Sequence, residues 1–211
     1  MIRVILCDDH ALIRRGIRDT LSDAVDIQVV GEAGDYGELR ALMRGTDGDV
    51  LLLDIHLPGR SGLDVLHALK DEGNPIKVLV VSMYPEDQYA LRALRAGAYG
   101  YVNKGGDPQL LVQAVHTVAQ GRKYVTPEIA QMLVESLTAP VVENPHERLS
   151  DRELQTLTMI ASGKRLSDIA EQLNLSPKTV SVYRARVLEK LGLANNSELT
   201  VYAIRNGLVG G

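Results

Sequence analysis

Five short aliphatic runs alternate with helical patterns over the first 121 residues, and this alternation restricts the fold more than any other feature. The runs are IRVILC (2–7), IQVVGEA (27–33), DVLLL (49–53), KVLVVS (77–82) and AYGYV (98–102). Apolar residues at helical spacing fill Ala11 to Leu21, Tyr36 to Arg44, Gly62 to Lys70, Glu86 to Arg95 and Pro108 to Gln120. Regular alternation of this kind predicts an α/β unit, a parallel five-stranded sheet with helices on both faces, because a parallel crossover is long and usually helical. Uninterrupted runs such as VLLL and VLVV suit strands buried on both sides. Phe and Trp are both absent, so the core must be aliphatic with Tyr at its margins.

Open α/β sheets place ligands at the carboxyl ends of their strands. The first run ends in Asp8 and Asp9, and the third ends in Asp54. In the usual strand order these two strands are neighbours, so three carboxylates share one crevice. Crowded acids need either raised pKa values or a cation, and all-oxygen donors favour Mg²⁺ or a similar hard ion such as Mn²⁺. The fourth run ends in the hydroxyl of Ser82, and the fifth is followed closely by the ammonium of Lys104. A cation, a hydroxyl and a lysine around one carboxylate make a site for a phosphoryl group, with Asp54 as the nucleophile. Singly, each residue has a plainer reading. Asp8, for example, could cap the helix that starts near Ala11.

Beyond Gly121 the pattern changes. YVTPEIAQMLVESL reads as a helix opened by Pro127, and TAPVVENPHER (138–148) as a proline-bearing linker. From Leu149 onward the period is helical throughout. Ser150 and Glu153 form a capping box, Gly163 ends that helix, Ser167 opens a short second one, and Ser176-Pro177 opens a third running to about Leu191. Two helices joined by so short a turn predict a helix-turn-helix. In the third helix Val180, Val187 and Leu191 make a core stripe. The opposite side shows Lys178, Ser181, Val182, Ala185, Arg186 and Glu189, flanked by Arg184 and Lys190. Exposed Val182 and Ala185 ringed by cations suit thymine methyls ringed by phosphates. The net charge of -4 would argue against nucleic acid, but it is unevenly spread. Residues 147–211 hold nine Lys/Arg against seven Asp/Glu, or +2, whereas the rest holds 14 against 20, or -6.

The segments CDDH, LLLDIHLPGRSGLDVL, VVSMY and AGAYGYVNK resemble, in order and spacing, the receiver domain of two-component response regulators, a flavodoxin-like (βα)₅ fold. SDRELQTLTMIASGKRLSDIAEQLNLSPKTVSVYRARVLEKLGL resembles the four-helix LuxR-type DNA-binding domain of NarL/FixJ-type regulators. The resemblance implies a receiver at 1–121, a linker including a helix at 122–148, and a DNA-binding domain at 149–211. It implies that a sensor histidine kinase phosphorylates Asp54, that Asp8, Asp9, Asp54 and the main chain at His56 hold Mg²⁺ (or Mn²⁺), and that Ser82 and Lys104 bind the phosphoryl group. Tyr101 would be the switch aromatic that turns inward when Ser82 moves. By position Ser181, Val182 and Ala185 would meet base edges of double-stranded DNA, and Lys178, Thr179, Arg184 and Lys190 would meet phosphates. The last helix would support a homodimer in the phosphorylated or DNA-bound state. Gly105-Gly106 stand where the family often has proline after the lysine, and Tyr183 and Arg186 depart from the usual His and Asn.

Cys7, the only cysteine, permits no internal disulfide and fits a reducing compartment. No apolar stretch is long enough for a signal peptide or membrane span, so the expected location is the cytoplasm. The chain should be a regulator that catalyses only its own phosphorylation and dephosphorylation. The alternative is a metal-dependent aspartyl-phosphate phosphatase. That reading is disfavoured because His56 occupies the place where such enzymes carry a second acid, and no cap domain is left to enclose a substrate.

Overall fold

The computed structural model describes residues 1–84, 86–138 and 144–209, with the side chains of 87, 88, 137 and 138 outside the description. Residues 139–143, the middle of the proline-bearing linker, lie outside the described residues. The chain divides into two compact units, Met1–Thr138 and Ala139–Gly211.

The first unit runs β1 (Ile2–Cys7), α1 (Ala11–Ser22), β2 (Ile27–Ala33), α2 (Tyr36–Leu42), β3 (Val50–Leu53), α3 (Gly62–Asp71), β4 (Lys77–Ser82), α4 (Glu86–Ala96), β5 (Gly100–Asn103), α5 (Pro108–Ala119) and α6 (Pro127–Thr138). All strands are parallel, in the order β2-β1-β3-β4-β5. β1 and β3 are therefore neighbours, as the placement of the acids requires. Alternate residues of each strand point to opposite faces. One face carries Val4, Leu6, Val50, Leu52, Leu79, Val81 and Val102, packed with Leu21 of α1 and with Leu111, Val115 and Val118 of α5. Ile5, Leu51, Leu53, Val78 and Val80, on the opposite parity, are also buried, so the sheet is covered on both sides.

Helix starts follow local chemistry. Asp35, Ser61 and Asp107 each accept a backbone N–H of the first turn, from Glu38, Asp64 and Gln109 respectively. Asp8 does not cap α1. His10 occupies that position without a side-chain cap, and Asp8 Oδ1 accepts the backbone N–H of His10 at 2.8 Å.

Several bounds differ from the sequence expectation by a residue or two, among them the start of β3 at Val50 rather than 49 and the end of α2 at Leu42 rather than Arg44. β5 begins at Gly100 rather than 98, because the Tyr99 N–H bonds Val78 O and the Tyr99 carbonyl accepts from Tyr124 N at 2.8 Å. Tyr124 thereby bridges to Gly100 beside the edge strand. α6 was expected within the connecting segment, but it packs against α4 in the first unit. Ile129 of α6 is fully buried, and Thr126 Oγ1 donates to Glu86 Oε2 at 2.6 Å.

The second unit runs through a 3₁₀ turn (Pro145–Arg148), α7 (Asp151–Ala161), α8 (Leu166–Gln172), α9 (Pro177–Leu191) and α10 (Asn196–Arg205). The capping box of Ser150 and Glu153 is present. α8 starts one residue before Ser167, with Arg165 at the cap position. Ser176 caps α9 through Thr179 N, with Pro177 in the first turn, and Gly192 ends the helix in the left-handed region at φ 65°. No described helix is long and apolar enough to cross a membrane.

Candidate functional site

Strand register brings the site together. Cys7 pairs with Leu53 and Leu53 with Val80, while β4 and β5 run two residues further to the pair Ser82 and Asn103, so four strands end along one edge of the sheet. The ladder extends one residue past each strand: Asp54 N donates to Cys7 O at 2.9 Å, Asp8 N to Ala33 O at 3.0 Å, and Lys104 N to Ser82 O at 2.8 Å. Backbone hydrogen bonds therefore fix the Cα positions of all three charged residues before any side chain is considered.

The side chains converge. Lys104 Nζ lies 2.5 Å from Asp8 Oδ2 and 2.9 Å from Asp54 Oδ2, and all three side chains are at most 5% exposed. Burial pushes the Asp54 carboxyl up to about 6, even though the Lys104 ammonium pulls the other way; Asp8 adds to the rise, and the backbone N–H of His56 lowers it. One ligand atom each from Asp8, Asp9, His10 and Asp54 lies within 4.8 Å of the others. His10 was not among the expected residues of this cluster, and its Nδ1 is 2.6 Å from Asp9 Oδ1. Only its adjacency in CDDH pointed to it.

Ser82 is fully buried at the end of β4, and its Oγ accepts the backbone N–H of Tyr84 at 3.2 Å. Tyr101 is also fully buried, with its hydroxyl donating to Tyr84 O at 2.8 Å. The ring points inward, and both side chains bond the main chain of Tyr84. The half-buried Tyr84 stacks on His56 at 4.6 Å between ring centroids and meets the edge of Tyr89 at 5.2 Å. This aromatic wall beside Asp54 was not foreseen, since its stacked pair, His56 and Tyr84, lies 28 residues apart in sequence.

In the second unit, Val180 and Val187 of α9 are buried as expected, whereas Leu191, the third residue of that stripe, is only half-buried. Lys178, Ser181, Val182 and Ala185 are exposed, and Val182 is 43% exposed. Thr179 and Arg184 are half-buried, with Arg184 Nε 2.5 Å from Asn196 Oδ1. Lys190 holds its ammonium 2.6 Å from Glu153 Oε2, a contact no sequence pattern indicated. On α10, Val201 and Ile204 are 48% and 47% exposed.

Comparison with known proteins agrees with both halves. Residues 4–116 match the response regulator receiver domain, and residues 147–203 match the bacterial regulatory proteins of the luxR family. The chain is 41% identical over 209 residues to the response regulator UvrY of Escherichia coli K12, spanning 99% of this chain and 96% of that one. It is 40% identical over 210 residues to the response regulator GacA of Pseudomonas aeruginosa, spanning 99% and 98%. Among solved structures, RcsB from Salmonella enterica serovar Typhimurium, bound to promoter rprA in the presence of the phosphomimetic BeF₃⁻, superimposes with a TM-score of 0.64 at 28% identity over 95% of this chain and 97% of that one. A flavodoxin-like receiver followed by a helix-turn-helix unit defines a DNA-binding transcriptional regulator. The chain belongs to the two-component response regulators, in their NarL/FixJ branch. Nothing in these matches supports the phosphatase alternative.

Proposed function

We propose that Asp54 accepts a phosphoryl group from a sensor histidine kinase, and that its phosphorylation controls binding of the second unit to duplex DNA. The observation that carries this reading is the convergence of Asp8, Asp54 and Lys104 within 2.9 Å at one sheet edge. An Asp54 oxygen attacks phosphorus, the P–N bond of the phosphohistidine breaks, and the leaving imidazole takes a proton. Lys104 then turns from ion pair to partner of a phosphoryl oxygen, and Ser82 supplies a hydroxyl donor to another. Tyr101, already turned inward and bonded to Tyr84 O, is locked in that position once Ser82 engages the phosphoryl group, which fixes the surface of α4 and β5.

Asp8, Asp9, Asp54 and the main chain at His56 fit a hard divalent cation, Mg²⁺ or Mn²⁺. Their donors are oxygens, and in the structure the Lys104 ammonium stands where positive charge is required to bury two carboxylates. A bound ion would supply charge neutralisation of the phosphoryl oxygens. Catalysis is confined to phosphorylation and dephosphorylation of Asp54 itself. The domains under this reading are the receiver from residue 1 to 121, a connecting segment from 122 to 148 whose helix α6 packs on the receiver, and the DNA-binding domain from 149 to 211.

Lys178 and Thr179 at the start of α9, and Arg184 along its flank, face phosphates; Ser181, Val182 and Ala185 face base edges. The exposed Val201 and Ile204 of α10 suit a homodimer seam on DNA, and dimers on DNA are described for RcsB. The cytoplasm, where the buried Cys7 thiol stays reduced, is the fitting compartment. The test is direct. Acetyl phosphate plus Mg²⁺ should phosphorylate the wild type and leave Asp54→Ala unmodified. Sites selected from random DNA should be bound differently with and without the phosphomimetic beryllofluoride. A wild type that stays unmodified sinks the acceptor role. Equal DNA affinities in the two states sink the coupling.

A further inference from the structure

Lys190 sits in the last turn of α9 and was expected at a DNA phosphate, but its surroundings favour another role. Its Nζ is 2.6 Å from Glu153 Oε2 and 3.4 Å from the carbonyl of Arg148. The Glu153 side chain is only 3% exposed, against 40% for Lys190. The same Glu153 oxygen accepts the Ser150 backbone N–H at 2.8 Å, while Ser150 Oγ accepts the Glu153 N–H at 3.4 Å. One carboxylate thus closes the N-terminus of α7 and receives the C-terminal end of α9. Burial alone would push the Glu153 carboxyl up; bonds from Lys190 and Ser150 hold it below its ordinary value. Moving the ammonium to a phosphate would leave a buried carboxylate without its cation, which is a costly arrangement.

Geometry adds a second argument. Ser176 and Pro177 fix the start of α9, and Lys190 is the ion pair near its far end. Val182 and Lys190 are eight residues apart, or about 12 Å along the axis at a helical rise of ~1.5 Å per residue. A tether at that distance governs the tilt of the segment carrying Ser181, Val182 and Ala185. We infer that Lys190 is a positioning residue: its pair with Glu153 pins α9 to the N-terminus of α7 and aims the base-facing side chains, and Lys190 itself contacts no phosphate. The inference rests on the reading that α9 enters duplex DNA.

Glu153→Gln separates the two jobs of the carboxylate, because Gln preserves a capping box and removes the charge. The full-length protein would be titrated with a duplex recovered by selection from random DNA, at several salt concentrations. The set is wild type, Lys178→Ala, Lys190→Met, Glu153→Gln and the Lys190→Met/Glu153→Gln double variant. Lys190→Met and Glu153→Gln should each weaken binding roughly tenfold without changing the salt slope, and the double variant should be no weaker than either alone. Lys178→Ala, at a phosphate, should lower the slope by about one. The inference is overturned if Lys190→Met lowers the slope as Lys178→Ala does while Glu153→Gln binds like the wild type. Independent, additive losses in the double variant overturn it too. A wild type that binds no selected duplex overturns the DNA reading beneath it, an outcome visible before any variant is compared. Thermal unfolding of the same variants checks folding, and Lys190→Arg, which keeps a cation within reach of Glu153, should retain most of the affinity.

Discussion

Under the proposed function Asp54 is under two opposing demands: it must be ionised to attack phosphorus, and it is buried where ionisation is disfavoured. Its carboxyl is raised from 3.8 to about 6 by burial. The folded state therefore holds that proton more tightly than the unfolded chain. The contribution of this group to stability is fully present below pH 4, is lost as pH rises through about 6, and is constant above. A rise of this size corresponds to about 3 kcal/mol. Asp54→Asn removes the titration, so its stability advantage over the wild type should open by an amount of that order between pH 4 and pH 7.5 in EDTA. Urea unfolding at a series of pH values reads this directly, and parallel pH profiles would contradict the assignment of the proton to Asp54. Adding Mg²⁺ should narrow the gap at pH 7.5, since an ion bound to the charged carboxylate stabilises the folded wild type. At the other functional surface, Val182→Ala should relax sequence preference at one base pair with the salt slope intact, in contrast to Lys178→Ala; selection profiles of the two variants distinguish them. Asp8, Asp9, Asp54, Ser82 and Lys104 were legible because each stands at or just past a strand end, and strand ends in a parallel sheet share one edge. Tyr84 and the pairing of Glu153 with Lys190 were not, because those partners are set by rotamer and by tertiary approach, which no local spacing encodes.

At the scale of elements, α3 shows how a helix start serves the site. Ser61 caps it, and Gly62 lies so close to the preceding loop that a Cβ would sit 2.0 Å from the carbonyl oxygen of Asp54. Gly16, in the middle of α1, has open space on the same test. The two Gly→Ala changes should therefore act in opposite directions. Gly16→Ala should stabilise by about 0.5–1 kcal/mol, the ordinary helix gain. Gly62→Ala should destabilise by about 1–3 kcal/mol through forced backbone movement, and should slow phosphorylation by acetyl phosphate because the backbone it displaces carries Asp54. Denaturant midpoints and phosphorylation rates of the two variants make the comparison; destabilisation by both, or by neither, would contradict it. Strand and helix order was readable throughout, since aliphatic runs and helical periods leave few alternatives. The home of α6 was not. An amphipathic period says which face of a helix is buried but not against what, and only the pairing of Tyr124 with Gly100 and the burial of Ile129 assign α6 to the first unit. The start of β5 moved for a related reason: Tyr99 bonds on both sides, to Val78 and to Tyr124, without joining the regular ladder of β5.

For the whole molecule, charge sets a sign that a mechanism must overcome. Residues 147–211 carry +2 and the remainder -6, so the bulk of the chain repels DNA while one small unit attracts it. Phosphorylation adds about -1.5 to -2 more to the repelling part. By electrostatics alone, then, the phosphorylated protein should bind DNA more weakly, and most visibly at low salt, where screening is least. Regulation that tightens binding must therefore run through conformation or association, by freeing α9 or by pairing two copies. Salt dependence separates these routes. Release of a monomer leaves the number of phosphate contacts per complex unchanged, so affinity rises at constant slope. Dimerisation brings a second α9 to the duplex, and the slope should roughly double. With exposed Val201 and Ile204 on α10 offering a seam, the expected result with beryllofluoride is tighter binding, a slope about twice that of the untreated protein, and a sedimentation shift to dimer. Asp54→Ala should show none of the three. Weaker binding in beryllofluoride, growing as salt is lowered, would mean that the added charge acts alone and that the two units are not coupled through structure.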